Sequence, residues 1–333
     1  MRVLVAGLGS MGRRRVRCLR SLEVDWIGGF DVREDRRREA ADRYGIPTFA
    51  SLEEGLAARP GALVVSTPPE HHLGLAHRAV REGLPFFVET GVFEDGIGDL
   101  IDSMRAGRVT GSSSCTMRNF AGPRRVKALV AGGAIGRPLH WMHHCGQYLP
   151  DWHPWESIED FYVSHRATGG CRELVPFELG WLTDVFGPIA EVDAQVDRVS
   201  DLPADIDDVY RLLVRHESGV AGSLVIDVVS RPAVRHFRVA GAEGSLEWDQ
   251  TEKRIRRFEA SRGEWVEESL EGGRVEAGYV NPDDPYVEEI RDFLAAVRGE
   301  GPPPYSFEEL AVALRVLLAA EASALEGRRM RVV

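Results

Sequence analysis

The 333-residue sequence contains very little lysine: only Lys127 and Lys253 are lysines among its 41 basic residues. A mechanism that needs an ammonium group beside the substrate therefore has few residues to supply it. Nucleic acids and anionic membranes are excluded as main partners by a formal net charge of −11 and an isoelectric point near 5.5. The composition favours a small-molecule ligand.

Long hydrophobic runs and paired cysteines are also missing. No apolar stretch approaches the roughly 18 residues of a membrane-spanning helix, and the first apolar run stops at Gly7, too early for a signal-peptide core. Neither a CxxC pair nor zinc-finger spacing occurs among the four cysteines, Cys18, Cys115, Cys145 and Cys171. We therefore predict a cytoplasmic protein with reduced thiols, no membrane segment and no metal site.

The sequence does contain, at its start, a strand pattern that runs directly into a glycine loop. Gly7, Gly9 and Gly12 have GxGxxG spacing, and Asp31 closes the next apolar run, 19 residues beyond Gly12. In a βαβ unit the first glycine allows a tight turn, the second lets the backbone approach a pyrophosphate, and the third lets the helix pack against the strand. The N-terminus of that helix attracts phosphate, and a carboxylate binds the ribose hydroxyls. The pattern predicts a bound dinucleotide.

Asp31 also bears on which dinucleotide binds. A carboxylate at this position repels a 2′-phosphate and favours NAD over NADP, whereas Arg33 favours the phosphate. The arginines at 36–38 are interpreted as a solvated helix face. The residues predicted to contact the cofactor in this region are Gly7, Leu8, Gly9, Ser10, Met11, Gly12, Asp31 and Arg33.

The pattern of apolar residues along the chain changes near residue 118. Before it, short apolar runs alternate with helical patterns, which predicts a doubly wound, parallel Rossmann sheet. Beyond it, longer alternating segments predict a mainly antiparallel open sheet covered by a helix over about 172–186. We therefore predict an α/β fold with a dinucleotide-binding domain over 1–118 and an α+β domain for substrate and oligomerisation over 119–333.

Three of the alternating segments in the second domain follow one another closely. They cover residues 209–214, 222–229 and 235–240, and turn residues separate them. Segments of this length and spacing are typical of antiparallel strands joined by turns. We therefore predict that the three lie side by side in the sheet.

Spaced motifs outside the glycine loop extend this pattern. One is the loop Thr67-Pro68-Pro69-x-x-His72, and another is Arg118 followed by Lys127 and by Gly133-Ala134-Ile135-Gly136. Together they resemble the glucose-fructose oxidoreductase, inositol dehydrogenase and rhizopine-catabolism (Gfo/Idh/MocA) family over nearly the whole chain. The resemblance implies an NAD-dependent oxidoreductase acting on CH–OH groups of a sugar, a polyol or a derivative, in a homodimer or homotetramer.

The resemblance also implies further cofactor contacts, at Thr67, Pro68, His72, Glu89, Thr90 and Arg118. For His72 a second interpretation stays open, since it stands where a helix starts and could help form the first turn. Two departures from the family affect the chemistry. The usual Glu-Lys-Pro turn reads Glu89-Thr90-Gly91, and threonine supplies neither a cation nor a group that titrates near neutral pH.

The second departure lies on the helix of the second domain. Phe177 stands where the family usually has a histidine, and Gly180 where it has an aspartate. The usual proton-handling groups are therefore absent. Three functions stay open: an oxidoreductase with a relocated acid or base, a non-catalytic dinucleotide-binding sensor or assembly partner, and a non-redox elimination or epimerisation that uses bound NAD.

Charged residues at the start of the same helix are candidate replacements. A carboxyl group beside an apolar ring can have a raised pKa and act as acid or base, and Glu173 is the first candidate for this role. Tyr148 is the second catalytic candidate, and Arg172 and Glu178 are predicted substrate contacts. The alternative is an Arg–Glu surface pair that caps the helix.

Aromatic residues are concentrated in the loop at 147–156, which reads QYLPDWHPWE. Trp152 and Trp155 are predicted to stack on a sugar ring while neighbouring polar groups bind its hydroxyls. The loop resembles one in family members associated with nonulosonic (sialic-acid-like) sugars. An oligomer contact or a loop-packing cluster is the alternative interpretation.

Three histidines lie close together just before this loop, at His140, His143 and His144. A metal site there needs all three side chains on one side of the chain. Alternation along a strand sends His143 and His144 to opposite faces. We therefore predict no metal ligands among them.

Overall fold

The structure is a computed structural model that describes residues 1–152, 157–160, 162–270, 273, 275–276, 279 and 281–332. The chain divides into two compact units. Unit one comprises Met1–Asn119 and Gly273–Ala311, and unit two comprises Phe120–Gly272 and Val312–Val333. This division differs from the predicted continuous second domain over 119–333, because a segment near the C-terminus returns to the N-terminal unit.

Unit one is built on parallel strands that alternate with helices. The strands are β1 (Arg2–Ala6), β2 (Trp26–Phe30), β3 (Thr48–Phe49), β4 (Ala62–Val65), β5 (Phe86–Val88) and β6 (Gly111–Ser113). The helices between them are α1 (Ser10–Ser21), α2 (Glu34–Tyr44), α3 (Leu52–Ala57), α4 (His72–Arg81) and α5 (Ile97–Gly107). Among the described residues, the strand order is β3-β2-β1-β4-β5-β6, and the predicted Rossmann sheet is confirmed.

The short apolar runs of the sequence become the central strands of this sheet. Val3, Leu4 and Val5 of β1 have no exposed surface, since helices cover both faces of a doubly wound sheet. The carboxyl ends of these strands all point to one edge. The loops that follow β1, β2, β4 and β5 therefore lie next to one another at that edge.

Helix α8 (Asp284–Val297) explains why the late segment belongs to unit one. It packs against α1, and Phe293 contacts Phe87 of β5 with 5.6 Å between ring centroids. Asp283, just before α8, accepts hydrogen bonds from Arg14 and Arg17 of α1 at 3.0 and 2.6 Å. Apolar contact and ion pairs together attach this segment to the glycine-loop helix.

Unit two contains the larger sheet. Its strands are β7 (Pro138–Gly146), β8 (Ile189–Asp197), β9 (Val209–His216), β10 (Ala221–Asp227), β11 (Val234–Gly241), β12 (Gly244–Asp249), β13 (Arg254–Glu259), β14 (Glu264–Ser269) and β15 (Met330–Arg331). Within the described part of the chain, the order is β14-β13-β12-β11-β7-β10-β9-β8-β15. Most pairs are antiparallel, as predicted, and β7 pairs with β10 in parallel.

One prediction about this sheet is wrong. The segments that became β10 and β11 were expected to be neighbours because they follow each other in the sequence. In the structure β7 lies between them, parallel to β10 and antiparallel to β11. Strand β7, which comes earlier in the sequence, lies where a hairpin partner was expected. The local spacing of residues does not reveal such a pairing between distant segments.

Unit two also contains helices α6 (Ala121–Ala131) and α7 (Cys171–Phe186). Helix α9 (Phe307–Glu326) begins in unit one and continues in unit two. Helix α7 is the predicted covering helix. Trp141, Trp248 and Phe237 of the sheet are almost completely buried, and so is Trp181 of α7 itself. No helix among the described residues is long and apolar enough to cross a membrane.

Candidate functional site

The glycine loop lies at the carboxyl end of β1, and steric clashes exclude a side chain at Gly7 and Gly12. Gly7 has a φ of +91°, and a Cβ on it would lie 2.5 Å from the carbonyl oxygen of Ser66. A Cβ on Gly12 would lie 1.8 Å from the carbonyl oxygen of Gly7. A Cβ on Gly9 would meet only the guanidinium of Arg36, in ordinary van der Waals contact with Nη1 at 3.5 Å. The loop therefore presents bare backbone at the start of α1, as a bound pyrophosphate requires.

Asp31 follows β2 and contacts the glycine loop directly. Its Oδ2 accepts a hydrogen bond from the Leu8 backbone N–H at 2.7 Å, and its Oδ1 accepts one from Arg33 N–H at 2.9 Å. The side chain of Asp31 is 5% exposed. Each carboxylate oxygen keeps a second lone pair, so these bonds orient the group without exhausting its capacity to accept.

The guanidinium group that pairs with the Asp31 carboxylate is that of Arg36, not that of Arg33. The side chain of Arg33 is half exposed and pairs with Asp35 at 2.6 Å, whereas Arg36 Nη1 lies 3.9 Å from Asp31 Oδ2. The interpretation of Arg36 as part of a solvated helix face is therefore corrected. Helix α2 begins at Glu34, so the side chain of Arg36 in its first turn reaches back to the end of β2.

Two buried polar atoms between the end of β4 and the first residue of α4 have no hydrogen-bond partner among the described residues: Thr67 Oγ1 and His72 Nδ1. The other ring nitrogen, His72 Nε2, lies 2.8 Å from the carbonyl oxygen of Thr67. Because a carbonyl only accepts, Nε2 carries the proton and Nδ1 keeps a free lone pair. Burial lowers the pKa of His72, which keeps the ring neutral.

The Glu89-Thr90-Gly91 turn follows β5. The Glu89 carboxylate forms two hydrogen bonds with Arg15, at 2.7 and 2.9 Å, and accepts a third from Ser66 Oγ at 3.1 Å. Thr90 Oγ1 donates to the carbonyl oxygen of Ser114 at 2.9 Å. This hydrogen bond connects the turn to the residue that follows β6. Thr90 adds no positive charge at this position.

Arg15 was not identified from the sequence, yet it is the centre of a buried charge cluster. Its side chain has no exposed surface and contacts Glu289 of α8 at 2.9 Å in addition to Glu89. Glu289 also accepts hydrogen bonds from Thr116 Oγ1 at 2.8 Å and Cys115 N–H at 2.6 Å, and burial raises its pKa. A signal was present, since Arg15 shares the inward face of α1 with apolar residues.

Arg118 lies at the end of the N-terminal segment of unit one. Its guanidinium pairs with Glu309 at 2.9 Å and lies 4.6 Å from the ring centroid of Tyr305. Its predicted contact with the cofactor stays a prediction.

A small pocket lies beside the loops after β4 and β5. Its walls are mostly apolar and belong to unit one. They include His72, Glu89, Gly91, Phe93 and Phe307. Gly91 contributes to this space, because a Cβ on it would lie 4.0 Å from His72 Nδ1.

In unit two, Glu178 does not fit the predicted role of substrate contact. It has no exposed surface, and its oxygens accept hydrogen bonds from His143 Nε2 at 2.8 Å, Trp181 Nε1 at 2.8 Å and Arg235 Nε at 3.1 Å. Burial alone would raise the pKa of Glu178, but Arg235 and His143 outweigh it and hold the pKa at about 2. The ionised Glu178 thus connects α7 to the sheet through its bonds to His143 and Arg235, and its role is structural.

Arg172 and Glu173 begin α7 but do not pair as the capping alternative supposed. Arg172 Nε donates to Glu321 of α9 at 2.7 Å, and Arg172 Nη1 donates to the carbonyl oxygen of Ala167 at 2.8 Å. Glu173 is half-buried and accepts a hydrogen bond from the Tyr162 hydroxyl at 2.8 Å. The structure thus brings a phenol and a carboxyl group together at the N-terminus of α7.

The aromatic loop is described in part, and Trp155 lies outside the described residues. The guanidinium of Arg231 covers the ring of Tyr148, 3.3 Å from its centroid. Trp152 is half-buried and donates its indole N–H to the carbonyl oxygen of Gln147 at 3.3 Å. The predicted roles of Tyr148 and Trp152 stay predictions.

The strand histidines occupy opposite faces of the sheet. His143 contacts Glu178 under α7, whereas His144 Nε2 lies 2.7 Å from Asp227 Oδ2, with its side chain 40% exposed. No group of three or more histidine, cysteine, aspartate or glutamate side chains in the described part of the chain is arranged to hold a metal ion.

The residues present fit a dinucleotide. The bare backbone at Gly9 and the carboxylate of Asp31 lie where a pyrophosphate and a ribose bind, and Thr67 Oγ1 is a buried polar atom without a partner among the described residues. The fold and this site define an NAD-binding oxidoreductase of the Rossmann class.

The chain belongs to the Gfo/Idh/MocA family. The model described as "Oxidoreductase family, NAD-binding Rossmann fold" matches residues 1–93, and the GFO/IDH/MocA C-terminal domain matches residues 124–247. Myo-inositol 2-dehydrogenase from Thermotoga maritima is 24% identical over 358 aligned positions, which cover 99% of this chain and 98% of that protein. The family resemblance inferred from the motifs is thus confirmed.

Solved structures share the fold over the full length. An oxidoreductase from Agrobacterium radiobacter in complex with NAD⁺, L-tartaric acid and magnesium has a TM-score of 0.88 at 14% identity and covers 100% of this chain and 98% of its own. Levoglucosan dehydrogenase in complex with NADH has a TM-score of 0.87 at 17% identity and covers 100% and 99%. At these identities the likeness is one of fold.

Proposed function

We propose that this chain is an NAD-dependent oxidoreductase that oxidises a CH–OH group of a sugar, a polyol or a sugar derivative, with the reverse reduction equally open to it. The observation that supports the proposal is the glycine loop of Gly7, Gly9 and Gly12 beside the Asp31 carboxylate. Bound NAD supplies the hydride acceptor. The relatives support the substrate class, since their names include a myo-inositol dehydrogenase and a levoglucosan dehydrogenase.

Glu173 is the proposed proton acceptor for the substrate hydroxyl, with Tyr148 the second candidate. Glu173 lies in the first turn of α7, and the Tyr162 hydroxyl donates to it at 2.8 Å, which fixes the carboxyl group in place. A positioned carboxylate within hydrogen-bond reach of a hydroxyl can act as a general base. Trp152, Trp155 and Arg172 remain the proposed substrate contacts, and Glu178 is withdrawn from that set.

A two-stage experiment tests this function. NADH is first titrated into the protein and followed by fluorescence, and NAD reduction is then assayed on myo-inositol, levoglucosan and related sugars. We expect NADH binding and turnover of at least one substrate. Glu173→Gln should lower kcat by about 100-fold, within the range for loss of a general base, and leave NADH affinity unchanged. Glu159→Gln, at an exposed carboxyl, is the matched control. Absence of NADH binding at millimolar concentration would overturn the proposal.

A second candidate function is favoured by two positions. Thr90 and Phe177 occupy the places of the lysine and the histidine that family members use for proton transfer. A non-catalytic sensor or assembly partner would bind NADH and reduce no substrate in the same assay. A non-redox elimination or epimerisation would convert a sugar with no net change in NADH, which product analysis would detect.

The homodimer or homotetramer is part of the same proposal. Met142 of β7 and Leu213 of β9 are 46% and 61% exposed, and both align with Ser223 of β10 across the sheet face opposite α7. Apolar side chains on an open sheet face support self-association. Light scattering of the purified protein tests it, and a monomer at micromolar concentration would contradict it. The cytoplasmic location stays a prediction from the sequence.

A further inference from the structure

The connection between β10 and β11 crosses the end of β7. Strand β7 lies between these two strands in the sheet, so the chain that leaves β10 at Asp227 passes over the end of β7 before β11 begins at Val234. The backbone N–H groups of residues 147–149 donate to carbonyl oxygens of this connection at 3.2, 2.9 and 2.9 Å. The connection and the first part of the aromatic loop therefore form one surface at this end of the sheet.

Asp227 fixes the shape of the connection. Its carboxylate accepts hydrogen bonds from the N–H groups of Val229 and Ser230 at 3.0 and 2.7 Å and from Ser230 Oγ at 2.8 Å, and His144 Nε2 lies 2.7 Å from it. A Cβ on Gly146 would lie 2.5 Å from Asp227 Oδ2, so the glycine leaves room for the carboxylate. Burial alone would raise the pKa of Asp227, but these donors outweigh it and lower the pKa. The charge of Asp227 is thus compensated within its own segment.

Arg231 follows this segment and carries a positive charge without a protein counterion. Its guanidinium lies 3.3 Å from the centroid of the Tyr148 ring. The side chain is exposed, and no carboxylate oxygen among the described residues lies within 4.0 Å of its nitrogens. By contrast Arg235, on the same side of the sheet's end, pairs with Glu178 at 2.9 Å. Stacking holds the guanidinium of Arg231 in one plane and leaves its N–H donors unused.

This arrangement indicates the kind of ligand that fits. A planar guanidinium matches the two oxygens of a carboxylate, which it binds through two parallel hydrogen bonds. The single positive charge of Arg231 balances a carboxylate, whereas a phosphate monoester carries a charge of roughly −2 at pH 7 and needs a second cation. The rings of Tyr148 and Trp152 in the same loop are half-buried and add aromatic surface that packs against a sugar ring.

We propose that Arg231 binds the carboxylate of an acidic sugar, so that the substrate of this chain is a sugar acid such as a uronate and not a neutral sugar or polyol. The proposal rests on the proposed function, since it names the substrate class of the same site. It makes Arg231 a specificity-determining residue and gives it no part in hydride or proton transfer. No local pattern in the sequence marks Arg231, because its stacking partner Tyr148 belongs to a distant segment.

The test measures sugar binding by calorimetry at saturating NADH, so that no turnover is required. The ligands are two matched pairs of methyl glycosides, glucuronate with glucose and galacturonate with galactose, which differ only in a carboxylate or a hydroxymethyl group at C6. We expect the uronate of at least one pair to bind about 10-fold more tightly than its neutral partner, as a charge-assisted hydrogen bond predicts. Arg231→Gln should remove the preference. Arg231→Lys keeps the charge but loses the planar group, and should retain only part of it.

Arg137→Gln is the matched control, at an exposed arginine just before β7, at the opposite end of that strand, and it should keep the full preference. Equal binding of acidic and neutral sugars, no binding of either uronate, or a preference that survives in Arg231→Gln would overturn the proposal. Tighter binding of methyl glucoside 6-phosphate than of the glucuronide would overturn the assignment to a carboxylate. Failure to bind NADH would instead overturn the proposed function, and the same titrations on the cofactor-free protein would still decide the role of Arg231.

Discussion

Buried polar groups have different hydrogen bonding at the carboxyl edge of the sheet in unit one and at helix α7 in unit two. At the sheet edge, Thr67 Oγ1 and His72 Nδ1 have no hydrogen-bond partner in the part of the chain that the structure describes. On α7, the buried Glu178 has hydrogen-bond partners in His143, Trp181 and Arg235. Buried polar groups that are satisfied internally stabilise a fold, whereas those left open are available to a ligand.

The largest effect is expected where the glycine loop meets α1. In Gly12→Ala the new Cβ would lie 1.8 Å from the Gly7 carbonyl oxygen, so α1 must move away from β1. We expect NADH binding to fall by more than 100-fold, because the helix N-terminus no longer faces the pyrophosphate. Fluorescence titration measures this, and Gly74→Ala in α4, where a Cβ meets open space, is the control. An NADH affinity within threefold of the wild-type value would show that the glycine loop is not the cofactor site.

The next effect concerns stability and leaves the cofactor edge intact. Glu178→Gln removes the charge that compensates the guanidinium of Arg235. Breaking such a buried pair costs about 3–5 kcal/mol in the free energy of unfolding. Urea denaturation at pH 7 measures the loss, and Arg38→Ala, which removes an exposed pair with Glu34, should cost less than about 1 kcal/mol. Equal losses in the two variants would contradict the structural role of Glu178.

The same carboxylate predicts an acid dependence of stability. The pKa of Glu178 is about 2 in the folded chain against an ordinary value of 4.5. The unfolded chain therefore binds this proton first, so the stabilisation by Glu178 is complete above pH 4.5 and is lost as the pH falls toward 2. Urea midpoints from pH 7 to pH 3 should fall more steeply for the wild type than for Glu178→Gln. Parallel pH profiles would show that Glu178 titrates normally.

The smallest effect is expected at the ribose position. Asp31→Asn removes the negative charge that opposes a 2′-phosphate and leaves Arg36 nearby. We expect NAD to bind about 10-fold more weakly and the preference for NAD over NADP to shrink by about the same factor, the amount of one charge-assisted hydrogen bond. Titration with both cofactors gives the ratio. An unchanged ratio would mean that Asp31 acts only on the Leu8 N–H.

Local patterns in the sequence predict the elements of this fold well. The arginines at 36–38 were interpreted as part of a helix and lie in α2, and the helix expected over 172–186 begins one residue earlier in α7. The glycine loop predicts its own geometry, because steric rules within a dozen residues determine it. These features depend on neighbours in the sequence, which periodicity and spacing describe directly.

Pairings between distant residues were not predictable in this way. Arg15 meets Glu289 only because α8 returns to α1, and Glu178 meets Arg235 only because β11 lies beside β7. A carboxylate on a helix has the same local signature in the sequence whether it faces a substrate or a buried guanidinium. The distinction is made by tertiary partners, which one sequence does not specify.

The position of α8 in the chain has a consequence for biosynthesis. Arg15 is made early, but Glu289, its second carboxylate partner, is made 274 residues later. At 5–20 residues per second this delay is roughly 14 to 55 s on the ribosome. Throughout that interval the nascent unit one lacks the helix that covers its buried cation. Its final packing is therefore a late event, completed after most of unit two has been translated.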